Sequence, residues 1–314
     1  MSDYINFIDQ ELIEEGNKFF QKGDYNSAGI NFQAALNLLR NYDGDRNHPM
    51  LLASTLNQKI EICKARTGKS FFKTNPSSQS SRKKRSYLLS KSTYIRGLQC
   101  HKSLYLNFNF PKLRTPPSEE TMILFSRGRD FEESFKATFK NSSDLKRFLG
   151  NNFDYYPLLT ESFLNQVYDY DSGEHENVLF EAGFIHNEVL VLTDVLQENP
   201  DGSYSIFEVK LSTEMNDTIL SDLSIQYYVC KSRLTKIKDF SVVLRTANNE
   251  FNIIDFKDEL EVNIPVVEEN IKKFKAVIIQ NQEPKIEMGQ QCEKPYHCDF
   301  KEYCLKQKNE ETAN

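Results

Sequence analysis

Two apolar blocks separated by a turn signal dominate residues 178–211. The first holds two short apolar runs and ends in Val189-Leu190-Val191-Leu192-Thr193-Asp194-Val195-Leu196. Asn199-Pro200-Asp201-Gly202 follows, a cluster of turn formers, and the second block runs from Tyr204 to Leu211. The pattern predicts two strands joined by a tight turn. Elsewhere the spacing of apolar positions predicts helices. Two antiparallel helices fill 5–40, where small residues allow close approach and Gly23-Asp24-Tyr25 makes the turn. Further helices are predicted over 50–66, 90–107, 119–139, 218–234 and 263–279, with strands at 240–244 and 252–256. Ser90 and Ser92 are the candidate N-caps of the fourth. Helix, hairpin, helix, strands and helix imply an α/β domain with a mixed central sheet flanked by helices.

Composition divides the chain. Residues 1–68 read as a helical module too small to bury much core alone. Residues 69–88, rich in Ser, Lys, Arg and Asn, read as a basic linker. The α/β domain is expected over 89–314. No segment approaches the roughly 20 apolar residues that span a bilayer, and the polar N-terminus lacks a signal-peptide core, so a cytoplasmic protein is expected. The chain carries 39 Lys and Arg against 45 Asp and Glu, for a net charge of −6. The balance is uneven: 13 of the basic residues fall between Lys64 and Pro117, where there is no acidic residue. Such a stretch is a candidate footprint for a polyanion. Arg82, Lys83, Lys84, Arg85, Lys91 and Arg96 are its candidate phosphate contacts. Of the nearby aromatics, Tyr87, Tyr94, Tyr105, Phe108 and Phe110 would stack on bases or fill the core.

The candidate chemistry lies on the predicted hairpin and in the tail. Side chains on a strand alternate faces, so Glu208 and Lys210 share one. With Asp194 on the neighbouring strand, two carboxylates and an ammonium converge. That set suits a divalent cation held by Asp194 and Glu208, with Lys210 beside the bound water, and phosphodiester hydrolysis as the chemistry. The same residues would also make a solvated face with cross-strand ion pairs. In the tail, Cys292, Cys298 and Cys304 are spaced Cys-x5-Cys-x5-Cys, and Cys100 lies upstream. Four thiolates suit an iron–sulfur cluster or zinc, and His101 and His297 keep a mixed zinc site open. Either metal would clip the two ends of the domain together. Cys63 and Cys230 fall in predicted helices and read as small buried hydrophobes.

SKSTYIRGLQCHKSLYL, Asp194 with Glu208-Val209-Lys210, Gln226-Tyr227-Tyr228 and CEKPYHCDFKEYC occur in this order over about residues 88–306. The ordered set resembles the RecB-like branch of the PD-(D/E)XK nucleases, in the iron–sulfur group that includes the CRISPR-adaptation exonucleases. The resemblance implies a PD-(D/E)XK core, a 4Fe-4S cluster on Cys100, Cys292, Cys298 and Cys304, and a Mg²⁺- or Mn²⁺-dependent DNase. It implies that Asp194, Glu208 and the Val209 carbonyl ligate the metal, joined by Glu132. It gives Lys210 the attacking water and Gln226 a supporting role. The aromatic expected four residues after Gln226 is replaced by Cys230, with Tyr228 as a substitute. Separately, Leu12, Gly16, Phe19, Gly23, Ala28, Phe32 and Ala35 resemble a tetratricopeptide (TPR) repeat, whose usual closing proline is Arg40 here. That implies an all-α module able to dock a protein partner. The expected function is thus a DNA nuclease acting on single strands or ends in repair, recombination or defence, an exonuclease more than an endonuclease. Two rival readings are a non-catalytic nucleic-acid-binding scaffold of the same fold and a zinc-clipped adaptor acting through the N-terminal helices.

Overall fold

A computed structural model describes residues 2–40, 47–69, 87–140, 142–151, 153–164 and 177–312. In chain order, α1 (Ser2–Gln21), α2 (Tyr25–Arg40) and α3 (Asn47–Thr67) come first. They are followed by β1 (Leu89–Ser90), α4 (Lys91–Gln99), α5 (His101–Asn109) and α6 (Glu119–Lys136). Next are β2 (Ser142–Asp144), α7 (Leu145–Leu149) and α8 (Tyr156–Leu164), then β3 (Asn177–His186), β4 (Val189–Glu198) and β5 (Tyr204–Lys210). The chain continues with α9 (Asp217–Lys231), β6 (Ile237–Arg245), β7 (Phe251–Asp255), α10 (Lys257–Ile279) and α11 (Lys301–Thr312). The result is an α/β chain with a mixed sheet. No described helix is long and apolar enough to cross a membrane.

The chain forms two compact units. One gathers Met1–Ser86, Ser142–His175 and Leu179–Gly183, and the other holds the remainder. In the first, Gly23 takes φ +79° in the turn between α1 and α2, and Asp24 accepts from the Ser27 N–H and hydroxyl at 3.1 and 2.7 Å. A Cβ added at Gly16 would lie 2.6 Å from the Phe32 ring, so the close approach of these helices requires glycine there. The expectation of one domain over 89–314 is corrected here. The helices α7 and α8 pack on α2 and bury Leu145, Leu149, Tyr156, Leu159 and Phe163. A helical hairpin and one further helix leave too much apolar surface uncovered, and these two helices supply the cover. Most of the expected 69–88 linker, with Arg82, Lys83, Lys84 and Arg85, lies outside the described residues.

The second unit holds the sheet that carries the candidate chemistry. Strands β4 and β5 pair antiparallel with Val195 opposite Phe207, β5 and β6 pair parallel, and β6 and β7 pair antiparallel. The helix α9 makes the crossover that the parallel pair needs. The β4–β5 turn is closed by Asn199 N–H to Ser203 C=O at 2.7 Å, with Gly202 at φ +72°. The β3–β4 turn is tighter, with Asn187 and Glu188 both at positive φ. Short β1 pairs parallel with β4, Leu89 beside Val189. Ser90 then caps α4 in a reciprocal box: the Ser90 N–H donates to Thr93 Oγ1 at 2.7 Å, and the Thr93 N–H donates to Ser90 Oγ at 3.4 Å.

The single helix expected over 90–107 is two helices. Cys100 takes an extended conformation between α4 and α5 (φ −164°, ψ 118°), so the two segments leave it at a corner. Just before the corner, a Cβ on Gly97 would stand 2.8 Å from the Phe274 ring. That ring is held edge-on by Tyr94 and His101 at 5.3 and 5.6 Å. Overpacking of this kind costs about 1–3 kcal/mol. Gly97→Ala is therefore expected to lower the urea midpoint with an unchanged slope, whereas Gly128→Ala, with nothing within 4 Å of the added Cβ, leaves it in place.

Candidate functional site

One step beyond the last paired residues of β4 and β5, Asp194 comes opposite Glu208. Asp194 Oδ2 accepts the Val209 N–H at 2.7 Å. Val209 therefore meets Asp194 through its N–H. Glu208 is 1% exposed. Its Oε1 accepts from Lys210 Nζ at 2.6 Å, the same-face neighbour two residues on, and from Lys91 Nζ at 2.8 Å. Lys210 also reaches Asp222 Oδ2 on α9 at 2.5 Å, and Lys91 stands 3.9 Å from the same oxygen. Glu132 on α6 is near enough to act electrostatically on Asp194, and it is itself paired with Lys136 at 2.5 Å. The structure thus brings Asp194, Glu208, Lys210, Glu132 and Val209 together. It adds Lys91 and Asp222 to them.

The charges are unequal within this group. Burial pushes the Asp194 carboxyl well above the ordinary aspartate range, and repulsion from Glu208 and Glu132 pushes it further. Burial also works against Glu208, but Lys210 and Lys91 outweigh it and hold Glu208 well below the usual carboxylate range. Burial opposes the charge on both lysines, yet Asp222 and Glu208 keep each protonated far above its ordinary range. The two acids are thus pushed in opposite directions, a common division when carboxylates crowd. Glu208 Oε2 is buried with no hydrogen-bond partner, as are both polar atoms of Gln226, which is 0% exposed on α9. Cys230 is near enough to feel Glu208. The substitute aromatic Tyr228 is engaged elsewhere. Its hydroxyl accepts from Asn187 at 3.3 Å, and its ring lies 5.1 Å from His186.

Two of the expected phosphate contacts are paired with carboxylates of the chain itself. Lys91 is spent on Glu208. Arg96 forms a two-point pair with Asp299 at 2.5 and 3.0 Å and also donates to Ser103. Arg114 joins the same carboxylate at 2.7 Å, and Lys102 pairs with Glu283 at 2.7 Å. These members of the basic stretch have no acid near them in sequence and find acids far along the chain. The aromatics divide similarly, with Tyr94 and Tyr105 buried and Phe110 exposed.

The four expected cysteine ligands line one cavity of about 340 Å³, counting its solvent-open part, with Lys102, Met288, Phe300 and Lys301 among its walls. None of the four is in a disulfide. Burial raises the Cys100 thiol's pKa, against the lowering pull of the Ser103 and Lys102 backbone N–H groups, and Cys304 is pushed to about 11. Gln99, next to Cys100, donates to the carbonyls of Gln291 and Tyr296 at 2.8 and 2.6 Å, tying the corner to the Cys292–Cys298 loop. His297 is exposed and pairs with Glu293 at 3.0 Å, and the His101 ring packs on Phe274. Among the described residues, no three His, Cys, Asp or Glu side chains stand close enough to hold a single metal ion.

Sequence reasoning missed Asp222, and it placed Lys91 only among the phosphate contacts, not beside Glu208. Asp222 had a signal: it lies four residues before Gln226, on the same face of α9. Lys91 had none, because only the pairing of β1 with β4 brings it to the site. Lys91→Met should leave Glu208 and Asp222 with less compensation. Removing one partner of a buried ion pair costs about 3–5 kcal/mol, and the expected readout is a lower unfolding midpoint.

No protein-family model matches the chain, and no curated protein matches it significantly.

Proposed function

We propose that the protein is a metal-dependent DNA nuclease with a PD-(D/E)XK core, acting on single strands or ends. The observation that carries this reading is the buried Glu208 Oε2, unpartnered among the described residues, beside a buried Asp194 whose carboxyl is pushed above the ordinary aspartate range. A buried carboxylate oxygen without a donor is costly, and a cation is the partner that satisfies it. Asp194, Glu208 and Glu132 would hold Mg²⁺ or Mn²⁺, which supplies Lewis-acid activation of water and phosphate when bound. Asp194 gives up its proton on cation binding. Lys210 and Lys91, both firmly protonated, exchange contacts with Glu208 for contacts with phosphate oxygens. Their raised pKa values suit charge stabilisation and argue against Lys210 as a general base. Gln226 supplies an amide beside the carboxylates.

Four thiols around one cavity, with backbone N–H groups aimed at one sulfur, support a 4Fe-4S cluster. The helices α1 to α3 support a TPR-like docking module, and repair, recombination or defence as the setting follows from the substrate class. End-labelled single-stranded DNA and supercoiled plasmid, incubated with Mg²⁺ or Mn²⁺, test the reading. Metal-dependent cleavage is expected. A folded, cluster-loaded protein that cuts neither would overturn it.

A further inference from the structure

One helix carries both a site carboxylate and a run of bare apolar side chains. The C-terminal half of α6 is anchored: Phe135 lies 5.8 Å from Phe207 on β5, and Phe131 and Phe135 lie 5.4 and 5.1 Å from Phe251 on β7. The N-terminal half is not. Met122, Ile123, Leu124 and Phe125 are each half or more exposed. Four consecutive residues point all round a helix, so their positions relative to Glu132 separate them. At about 100° per residue, Phe125, Gly128, Arg129 and Glu132 fall within one sector of about 100°. Ile123 points the opposite way. Phe125 lies two turns, about 10 Å, from Glu132. Gly128, between them, leaves open space above the helix. Arg129 is exposed and has no carboxylate partner among the described residues.

We infer that this face of α6 is the track along which a single-stranded nucleic acid reaches the carboxylate site, with a base stacked on Phe125 and a phosphate on Arg129. The inference rests on the nuclease reading. An exposed aromatic and an uncommitted arginine on one stripe are what a sequence-tolerant strand binder needs: a π-face for any base and a charge for the backbone. The missing side chain at Gly128 lets the strand lie against the helix. Glu119 and Glu120 in the first turn repel phosphate, so the track is confined to the stretch from Phe125 to Glu132. A protein partner would use Ile123 and Leu124 as much as Phe125. The continuity of the Phe125 stripe with Glu132, and not of the Ile123 face, favours nucleic acid.

The test is fluorescence anisotropy of a labelled oligothymidylate on the full chain in EDTA, so that binding is read without cleavage. Phe125→Ala is expected to weaken binding about tenfold, and Phe125→Trp to stay near wild type. Arg129→Gln is expected to flatten the logarithmic salt dependence by about 0.7. Ile123→Ser, on the opposite face, is expected to bind as wild type does. Equal affinity of Phe125→Ala and wild type, or equal weakening by Ile123→Ser, would overturn the track. Wild-type protein that binds no oligonucleotide would instead sink the nuclease reading on which it rests.

Discussion

Asp194→Asn is expected to abolish the proposed metal-dependent cleavage and to raise the melting temperature of the metal-free protein. The first effect is at least a thousandfold in rate, since charge stabilisation by a held cation supplies several kcal/mol and each 1.4 kcal/mol is tenfold. The second follows from the sign of the pKa shift. The folded-state value of Asp194 is raised, so the native chain binds a proton that the unfolded chain has lost. From about pH 4, where an unfolded aspartate titrates, up to the raised native value, the metal-free protein loses stability as pH rises. Asparagine stays neutral and still accepts the Val209 N–H, so it removes that loss. Glu208 works in the other direction: its depressed value contributes stability present above the unfolded glutamate value and lost in acid. Scanning calorimetry of both proteins with and without Mg²⁺ at several pH values checks the argument. Wild type gains about 2.7 kcal/mol at a hundredfold excess over Kd, more at higher pH as Asp194 gives up its proton, and Asp194→Asn gains nothing. A variant that still cuts DNA, or that melts lower than wild type without metal, would remove Asp194 from the proposed role.

Cys298→Ser has the second large effect. Cys298 lines the cavity, and its N–H bonds the Cys292 carbonyl at 2.9 Å, so the loop between them is closed before any ligand arrives. With a hydroxyl in place of one thiolate, anaerobically purified protein is expected to lose the brown absorbance near ~400 nm of an iron–sulfur cluster. It should also lose the stabilisation that the proposed cluster would confer on the four cysteines. The fold around the cavity persists through the Arg96–Asp299 pair, so the variant stays soluble and colourless, with a lowered melting temperature. Cys63→Ser, in the first unit, keeps the colour. Zinc in place of iron on elemental analysis of wild type would reassign the cavity.

Local pattern made the hairpin legible. The β4 and β5 strands, their Asn-Pro-Asp-Gly turn and the shared face of Glu208 and Lys210 follow from period-two alternation and turn chemistry, which are short-range. The helices α6 and α9 were legible for the same reason. What escaped was non-local. Two residues of β1 pair with β4 a hundred positions away, which no periodicity announces, and this pairing delivers Lys91. The basic run from Lys64 to Pro117 read as one surface because its acids lie far along the chain. Helix α10 begins at Lys257, six residues before its expected start. The corner at Cys100 was hidden because no proline interrupts residues 90–107.

The distant partners of that basic run also set an order of events in the making of the protein. Lys91, Arg96, Lys102 and Arg114 emerge from the ribosome well before Glu208, Asp222, Glu283 and Asp299, and three of the four cavity cysteines emerge only after Glu283. A nascent chain halted after β7 holds every carboxylate of the site. It lacks the acids that neutralise Arg96 and Arg114 and the loop that Gln99 ties down. Contacts this far apart in sequence close slowly, so the destructive chemistry proposed for the site would become competent only after synthesis has passed Cys304.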